Sequence, residues 1–158
     1  MLKGVDPILT PELLLHLSRM GHGEWVAVVD ANFTAHMLAN GKPVIQLPGI
    51  DLLRASQAVL SVTPLAGDVE EPAAYMRVCN QPVSHRTPAQ QSLVNWLIQQ
   101  EGLEETRIAP VERYAFYDKV KQASLIVQTG DLTAYANALF CKAVILPQPG
   151  EYPKRNVS

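Results

Sequence analysis

The sequence predicts an α/β fold of three layers, with a mostly parallel (mixed) central sheet and helices on both of its faces. Three observations lead to this prediction. Segments typical of strands alternate with segments typical of helices along the 158 residues, and strands joined through helices usually pair in parallel. The strand-like segments are short, continuous apolar runs, as expected for strands that are covered on both faces. With 47% hydrophobic residues, a chain of this length can bury one core.

Four helices are predicted, mainly from the residues at which they begin. Thr10 and Pro11 illustrate the pattern, because a hydroxyl side chain caps the first turn and proline fits the first helical position. Thr87 and Pro88 repeat this pattern, and Gln90 adds the glutamine of a capping box. The predicted helices cover residues 10–20, 51–60, 87–102 and 112–122.

Five strands are predicted from the apolar runs. The run Trp25–Val29 is the clearest, and it ends at Asp30. The others cover residues 44–47, 75–79 and 125–127, and the last lies within 138–146. Residues 63–72 contain two prolines, one glycine and three acidic residues, which favours a loop. We expect one domain over residues 1–146, followed by a proline-rich tail over residues 147–158 that has no core of its own.

Composition limits the partners and the compartment. The 13 Lys and Arg against 15 Asp and Glu leave no positive excess for binding nucleic acid. No run approaches the ~18 apolar residues of a membrane helix, and the N-terminus does not resemble a signal peptide, so we expect a soluble, cytoplasmic protein. Cys79 and Cys141 are expected to be buried free thiols. The low charged fraction, 18%, favours a surface that is partly covered by subunit contacts.

Several signatures of cofactor or covalent chemistry are absent from the sequence. It contains no glycine-rich dinucleotide-binding motif and no phosphate-binding loop. No pair of His or Cys residues has the spacing of metal ligands, and no serine lies in a nucleophile elbow. An enzyme with this sequence is therefore expected to carry out acid–base chemistry on a small molecule, without cofactor, metal or covalent intermediate.

His22 is the strongest candidate for acid–base chemistry. The flanking Gly21 and Gly23 leave its imidazole uncrowded, and an imidazole can give and take a proton near neutral pH. The alternative is a histidine that merely ends the first helix. Asp30 is the second candidate, because functional groups collect at the carboxyl ends of parallel strands. It is functional only if it faces the same cleft as His22, and otherwise it forms a turn.

Four further residues have the chemistry of a sugar site. Tyr135 and Asn137 offer a phenol and an amide to hydroxyl groups, and Arg113 and Tyr117 lie one helical turn apart and can point the same way. Small-molecule sites combine aromatic faces with a few polar groups in this manner. Each of these residues taken alone is most simply a residue of the rim or the core of the domain.

Two blocks of the sequence together resemble a known family. The first comprises residues 2–4, the helix at 9–20, Gly21-His22-Gly23 and Asp30-Ala31-Asn32-Phe33. The second comprises Glu112-Arg113-Tyr114-Ala115-Phe116-Tyr117, Thr129-Gly130 and Tyr135-Ala136-Asn137. In this order they resemble the ribose pyranase/fucose mutarotase family, and most closely its fucose mutarotase branch. The resemblance extends over about residues 1–146 and leaves the tail outside.

The resemblance implies a cofactor-free isomerase that interconverts the α and β anomers of a free sugar, with L-fucose as the expected substrate. It also implies a cytoplasmic, ring-shaped homodecamer of two stacked pentamers, with sites at the subunit contacts. His22 would be the catalytic general acid/base, because mutarotation moves protons at the anomeric hydroxyl and the ring oxygen. The implied substrate-binding residues are Asp30, Arg113, Tyr117, Tyr135 and Asn137.

Three positions depart from the fucose branch. Thr34 replaces the proline that is usual there, and Ala136 is more typical of the ribose branch. The animal members have a catalytic Asp where an ungapped alignment gives Ala66, with Asp68 two residues further on. The alternatives of a D-ribose pyranase and of a non-catalytic sugar-binding or regulatory protein therefore stay open, as does the second proton carrier, Asp68 or another group. Met76 matches a methionine that contacts substrate in that branch.

Overall fold

The computed structural model describes residues 1–147, and these form a sheet of six strands covered by helices. Of the predicted tail, residues 148–158 lie outside the described residues. A short 3₁₀ turn covers Glu105–Arg107. The strands and helices are α1 (Pro11–Arg19), β1 (Trp25–Val29), α2 (Ala35–Ala39), β2 (Val44–Leu47), α3 (Leu52–Leu60), β3 (Ala73–Met76), α4 (Pro88–Gln99), β4 (Ile108–Val111), α5 (Arg113–Gln122), β5 (Leu125–Thr129) and β6 (Ala138–Cys141).

The sheet has the order β2-β5-β1-β6-β3-β4. Neighbouring strands are parallel except at β6, which is antiparallel to both β1 and β3. The register places Ala138, the first residue of β6, beside Val28 of β1 and Tyr75 of β3. The residues that precede β6 therefore lie at the same edge of the sheet as the residues that follow β1 and β3.

Helices pack on both faces of the sheet, which confirms the predicted α/β fold of three layers. Alternate residues of β1 serve the two faces: Val28 contributes to the core under α1, α3 and α4, and Val29 contributes to the core under α2 and α5. Both side chains are fully buried. A strand covered on both faces gains from apolar residues at every position, and this is why β1 appears in the sequence as a continuous apolar run.

Side-chain caps fix the starts of three predicted helices. The Thr10 hydroxyl accepts a hydrogen bond from the Leu13 amide at 3.2 Å, and Asp51 caps α3 in the same way. At α4 the predicted capping box is present. The Gln90 backbone amide donates to the Thr87 hydroxyl, and the Thr87 backbone amide donates to the Gln90 side-chain oxygen. Such caps satisfy amides that have no partner within the helix.

One predicted strand has other bounds in the structure, and two elements were not predicted. The strand predicted over residues 75–79 covers Ala73–Met76 instead. The sequence interpretation did not include α2 or β4. Helix α2 has five residues, too few to show a helical repeat, and β4 contains Pro110, which a strand tolerates at the edge of a sheet.

The two cysteines are both free thiols, as predicted, but they differ in exposure. Cys141, the last residue of β6, is buried. Cys79 lies beyond the end of β3 and is only partly buried, contrary to the prediction. Since the strand ends earlier than predicted, Cys79 lies outside the sheet. Among residues 1–147, no helix is long and apolar enough to cross a membrane.

Candidate functional site

A pocket of about 560 Å³ opens at the edge of the sheet where β1 and β3 end and β6 begins. Asp30 follows β1, Met76 ends β3, and Tyr135 and Asn137 precede β6. The antiparallel pairing of β6 explains why residues from such distant parts of the chain meet here. The volume is within the ~300–1,000 Å³ that is usual for small-molecule sites. The other lining residues are Asn32, Phe33, Thr34, Met37, Arg113, Tyr117, Leu132 and Ala134.

The structure brings all five predicted substrate-binding residues to this one pocket. Asp30, Tyr135 and Asn137 come from the sheet edge, and Arg113 and Tyr117 come from the first two turns of α5. A position at the end of a parallel strand is not enough to place a residue in this pocket. Thr129 and Gly130 lie at the end of β5, but they line a different and smaller pocket.

Asp30 and Asn137 form a reciprocal pair at the base of the pocket. The Asp30 backbone amide donates to the Asn137 side-chain oxygen at 2.8 Å, and the Asn137 side-chain nitrogen donates to the Asp30 carboxylate at 2.8 Å. The other carboxylate oxygen accepts from the Asn32 amide at 2.9 Å. Both side chains are almost fully buried. Burial raises the pKa of the Asp30 carboxyl above 3.8, and the hydrogen bond from Asn137 opposes that rise.

We expect the carboxyl carbon of Asp30 to titrate with a midpoint above pH 3.8 in a carbon-13 NMR experiment. The variant Asn137→Ala is expected to raise the midpoint further, because it removes a donor that favours the charged form. A carboxyl whose folded-state pKa is raised stabilises the fold fully below its unfolded pKa and loses that contribution as the pH rises through the folded value. A midpoint at or below 3.8 would contradict this account of the pair.

Aromatic groups and a guanidinium form the opposite wall. The Arg113 Nε donates to the Tyr117 hydroxyl at 2.9 Å, and the guanidinium lies 5.6 Å from the centre of the Tyr117 ring. This hydrogen bond raises the pKa of Arg113. Tyr117 also packs edge-on against Phe33 at 5.6 Å. Across the pocket, a hydrogen bond with the Cys79 thiol raises the pKa of the Tyr135 phenol.

His22 lies away from this pocket within one chain. It precedes β1, whereas Asp30 follows it, and five strand residues span ~16 Å. The predicted condition that the two residues face one cleft is therefore not met inside a single subunit. The His22 Nε2 atom lies 2.9 Å and 3.1 Å from the two carboxylate oxygens of Asp68. The hydrogen bond from His22 lowers the pKa of Asp68.

Arg107 organises the loop that carries Asp68. Its guanidinium donates to four backbone oxygens of that loop, those of Ala66, Gly67, Val69 and Glu70, at 2.7–3.4 Å. All four acceptors are backbone carbonyls, so Arg107 fixes the backbone conformation of this loop. No spacing in the sequence indicated this role.

Within residues 1–147, no three His, Cys, Asp or Glu side chains lie close enough together to hold a metal ion.

Comparison with known proteins assigns the chain to a family. The model of the RbsD / FucU transport protein family matches residues 3–145. The chain belongs to this family. The match covers every candidate site residue named above, and it confirms the resemblance identified from the sequence.

Relatives within the RbsD/FucU family match over nearly their whole length. A Mus musculus protein named fucose mutarotase is 33% identical over 147 residues, which are 91% of this chain and 95% of the relative. The crystal structure of FucU from Bifidobacterium longum has a TM-score of 0.84 and 30% identity, over 91% of this chain and 100% of that one. A Streptococcus pneumoniae fucose mutarotase, solved in complex with L-fucose, has a TM-score of 0.82 and 28% identity, over 92% and 100%.

Gln128 is a polar residue that shapes this RbsD/FucU pocket and that sequence reasoning missed. Gln128 of β5 is buried, and its side-chain nitrogen donates to the carbonyls of Asp30, Ala31 and Phe33 at 3.1–3.4 Å. It thereby fixes the turn that carries Asp30. A glutamine inside the apolar run of β5 was the available signal, because a buried amide needs hydrogen-bond partners.

Proposed function

We propose that this chain is a cofactor-free mutarotase that interconverts the α and β anomers of a free monosaccharide, L-fucose. The observation that carries the proposal is the convergence of Asp30, Asn137, Tyr135, Arg113 and Tyr117 on one pocket. It is supported by the relatives named fucose mutarotase, one of which was solved with L-fucose.

The pocket offers a sugar both hydrogen-bonding and apolar surfaces. The two carboxylate oxygens of Asp30 accept from Asn32 and Asn137, and because a carboxylate oxygen has two acceptor sites, Asp30 can also accept from a sugar hydroxyl. Arg113 can donate to further hydroxyls. Met37, Met76 and Leu132 add apolar surface. A 6-deoxy sugar such as L-fucose carries a methyl group that would bury against this surface.

His22 is proposed to exchange a proton with the sugar. Ring opening removes the proton from the anomeric hydroxyl and delivers one to the ring oxygen, as the bond between the anomeric carbon and the ring oxygen breaks. The open-chain aldehyde then rotates, and the reverse steps close the ring on its other face. Asp68, at the His22 Nε2 atom, holds a proton on that nitrogen and leaves Nδ1 free to act on the sugar.

His22 is proposed to complete the pocket of a neighbouring subunit. It is separated from the pocket of its own chain by the length of β1, and its side chain is 42% exposed. Met37 and Leu132, at the mouth of the pocket, are 75% and 78% exposed. Large apolar side chains at such a position gain from being covered by a second subunit. We propose a ring-shaped homodecamer of two stacked pentamers, with its sites at the subunit contacts.

Saturation-transfer NMR of anomeric exchange across a panel of sugars tests the function. We expect the protein to accelerate exchange of L-fucose more than that of D-ribose and other aldoses. Binding of L-fucose without faster exchange would instead identify a non-catalytic sugar-binding protein, and preferential exchange of D-ribose would identify a pyranase.

Light scattering tests the oligomeric state. It is expected to give ten times the 17.3 kDa of one chain, and a monomer would contradict sites shared between subunits. The cytoplasmic location stays a prediction from the sequence.

The variant Asp68→Ala is expected to lower kcat for anomeric exchange about tenfold and to change KM little, because it removes the group that orients His22. Asp118→Ala is the matched control, since Asp118 is an exposed aspartate paired with Lys121 on the surface. A loss as large as that of a His22 variant would instead make Asp68 a proton carrier in its own right.

A further inference from the structure

We propose that Gln90 is a positioning residue for the sugar pocket. Through hydrogen bonds to their backbone carbonyls, it holds Met76 and Tyr135, which line the pocket. The proposal rests on the proposed function of that pocket. Gln90 lies in the first turn of α4 and does not line the pocket. Its side chain is completely buried. A buried amide is costly unless every polar atom is bonded, so its partners indicate what it does.

The Gln90 side chain joins three separate parts of the chain. Its nitrogen donates to the carbonyl of Met76 at 2.6 Å and to the carbonyl of Tyr135 at 2.8 Å. Its oxygen accepts from the Thr87 amide at 3.0 Å. Both amide hydrogens and the oxygen are therefore used. The capping box at Thr87 anchors this side chain to α4, and the two donated bonds reach the pocket.

Both carbonyls that Gln90 binds belong to residues that line the pocket. Met76 ends β3 and Tyr135 precedes β6. The paired register of β3 and β6 ends at Tyr75 and Ala138, one residue short of Met76. Beyond that point the Met76 amide donates to the Asn137 carbonyl at 3.1 Å, and Gln90 adds a second link, which reaches one turn further to the Tyr135 carbonyl.

Tyr135 is the residue that most needs such a link. Its φ of 63° is in the left-handed region, which is unfavourable for a residue with a side chain and is kept only where the surroundings impose it. The Tyr135 carbonyl accepts from Gln90 and also from the Asn137 amide at 2.8 Å. Gln90 thus holds the turn from which both the Tyr135 phenol and the Asn137 amide reach the pocket.

The expected consequence is a loss of sugar affinity. The variant Gln90→Met keeps an unbranched side chain of similar length but has no donors, so the carbonyls of Met76 and Tyr135 lose the bonds from Gln90. The Tyr135 carbonyl retains the bond from the Asn137 amide, but the turn is no longer tied to α4 and can relax. We expect Kd and KM for L-fucose to rise at least about tenfold, because small displacements of binding groups weaken a site strongly. We expect kcat to stay within about threefold, since neither Met76 nor Tyr135 is proposed to exchange a proton with the sugar.

The neighbouring Gln91 provides a matched control. It is exposed, and among residues 1–147 its side chain bonds to Asn95 alone, on the surface of the same helix. Gln91→Met is therefore expected to leave Kd, KM and kcat unchanged. Equal effects of the two methionine variants would overturn the proposal, as would a Gln90→Met protein with unchanged Kd and KM. A fall in kcat in proportion to lost folded protein, at unchanged Kd, would also overturn it.

A second variant, Gln90→Glu, adds a pH signature. A protonated Glu can donate one hydrogen to a carbonyl, whereas an ionised Glu would face both carbonyl oxygens as a buried charge. We expect KM of this variant to rise between about pH 5 and pH 8 relative to that of wild type. A ratio that does not change with pH would count against the link to Tyr135.

Amide hydrogen exchange separates this proposal from the proposed function. We expect the amides of residues 135–137 to exchange at least about tenfold faster in Gln90→Met than in Gln91→Met. If the wild-type protein neither binds sugar nor accelerates anomeric exchange, the proposed function fails while this comparison still decides the role of Gln90. Unchanged protection of residues 135–137 would overturn the proposal even if the wild-type protein is a mutarotase.

Discussion

The variant His22→Ala is expected to slow anomeric exchange ~10²- to 10⁴-fold, the usual contribution of a positioned general acid or base. Its affinity for sugar is expected to stay within about threefold, because the residues proposed to bind the hydroxyl groups line the pocket around Asp30 and do not include His22. His85→Ala is the matched control, since His85 is an exposed loop residue outside the pocket. Saturation-transfer NMR measures the exchange, and calorimetry measures the affinity.

Mixing two inactive variants tests whether His22 serves a neighbouring subunit. His22→Ala retains an intact pocket, and Asp30→Asn retains an intact histidine. In randomly mixed oligomers, about a quarter of shared sites would combine a wild-type His22 with a wild-type Asp30. We therefore expect about a quarter of the wild-type rate to return. Mixed oligomers that form but stay inactive would show that each chain completes its own site.

The variant Gly130→Ala is expected to destabilise the fold by about 3 kcal/mol, at the upper end of the usual cost of overpacking. An added Cβ would lie 3.0 Å from the Cα atom of Gly49 and closer still to its backbone nitrogen. Neither backbone can move freely, because the Gly130 amide donates to the Ile50 carbonyl at 2.9 Å. Denaturant unfolding followed by fluorescence measures the loss.

Gly67→Ala is the control for that substitution. An added Cβ at Gly67 would have no atom of the described part of the chain within 4 Å, so the effect of Gly67→Ala is expected to stay within about 0.5 kcal/mol. If Gly130→Ala and Gly67→Ala lower the free energy of unfolding equally, the close approach of Gly130 to Gly49 does not limit the packing of β5 against the loop after β2.

The fold class could be predicted because the strongest local signals agree with the tertiary structure. Strand β1 is apolar at every position because both of its faces are covered, and Thr10 and Thr87 cap the helices that they were predicted to begin. Helix α2 could not be predicted, since five residues are too few to show a period. In β4, Pro110 argues against a strand unless the edge position is already known.

The pocket was predictable only in part. Its five polar and aromatic residues were candidates from their chemistry, and the family resemblance gave them a common role. Their convergence depends on the antiparallel β6, which no local pattern reveals. The separation of His22 from Asp30 was present in the sequence, because a strand of five residues lies between them. Gln90 and Gln128 were not identified as parts of the site, since their roles depend on which distant carbonyls the fold brings to them.

His22 and the pocket lie at opposite ends of β1, so if a neighbouring subunit completes the site as proposed, the activity depends on protein concentration. A lone subunit would keep a complete set of sugar-binding groups but would lack a histidine within reach of the sugar. Assembly would then switch on the chemistry without changing the fold of the subunit. We expect the rate per chain to fall on dilution below the dissociation constant of the oligomer, while the separated subunits stay folded.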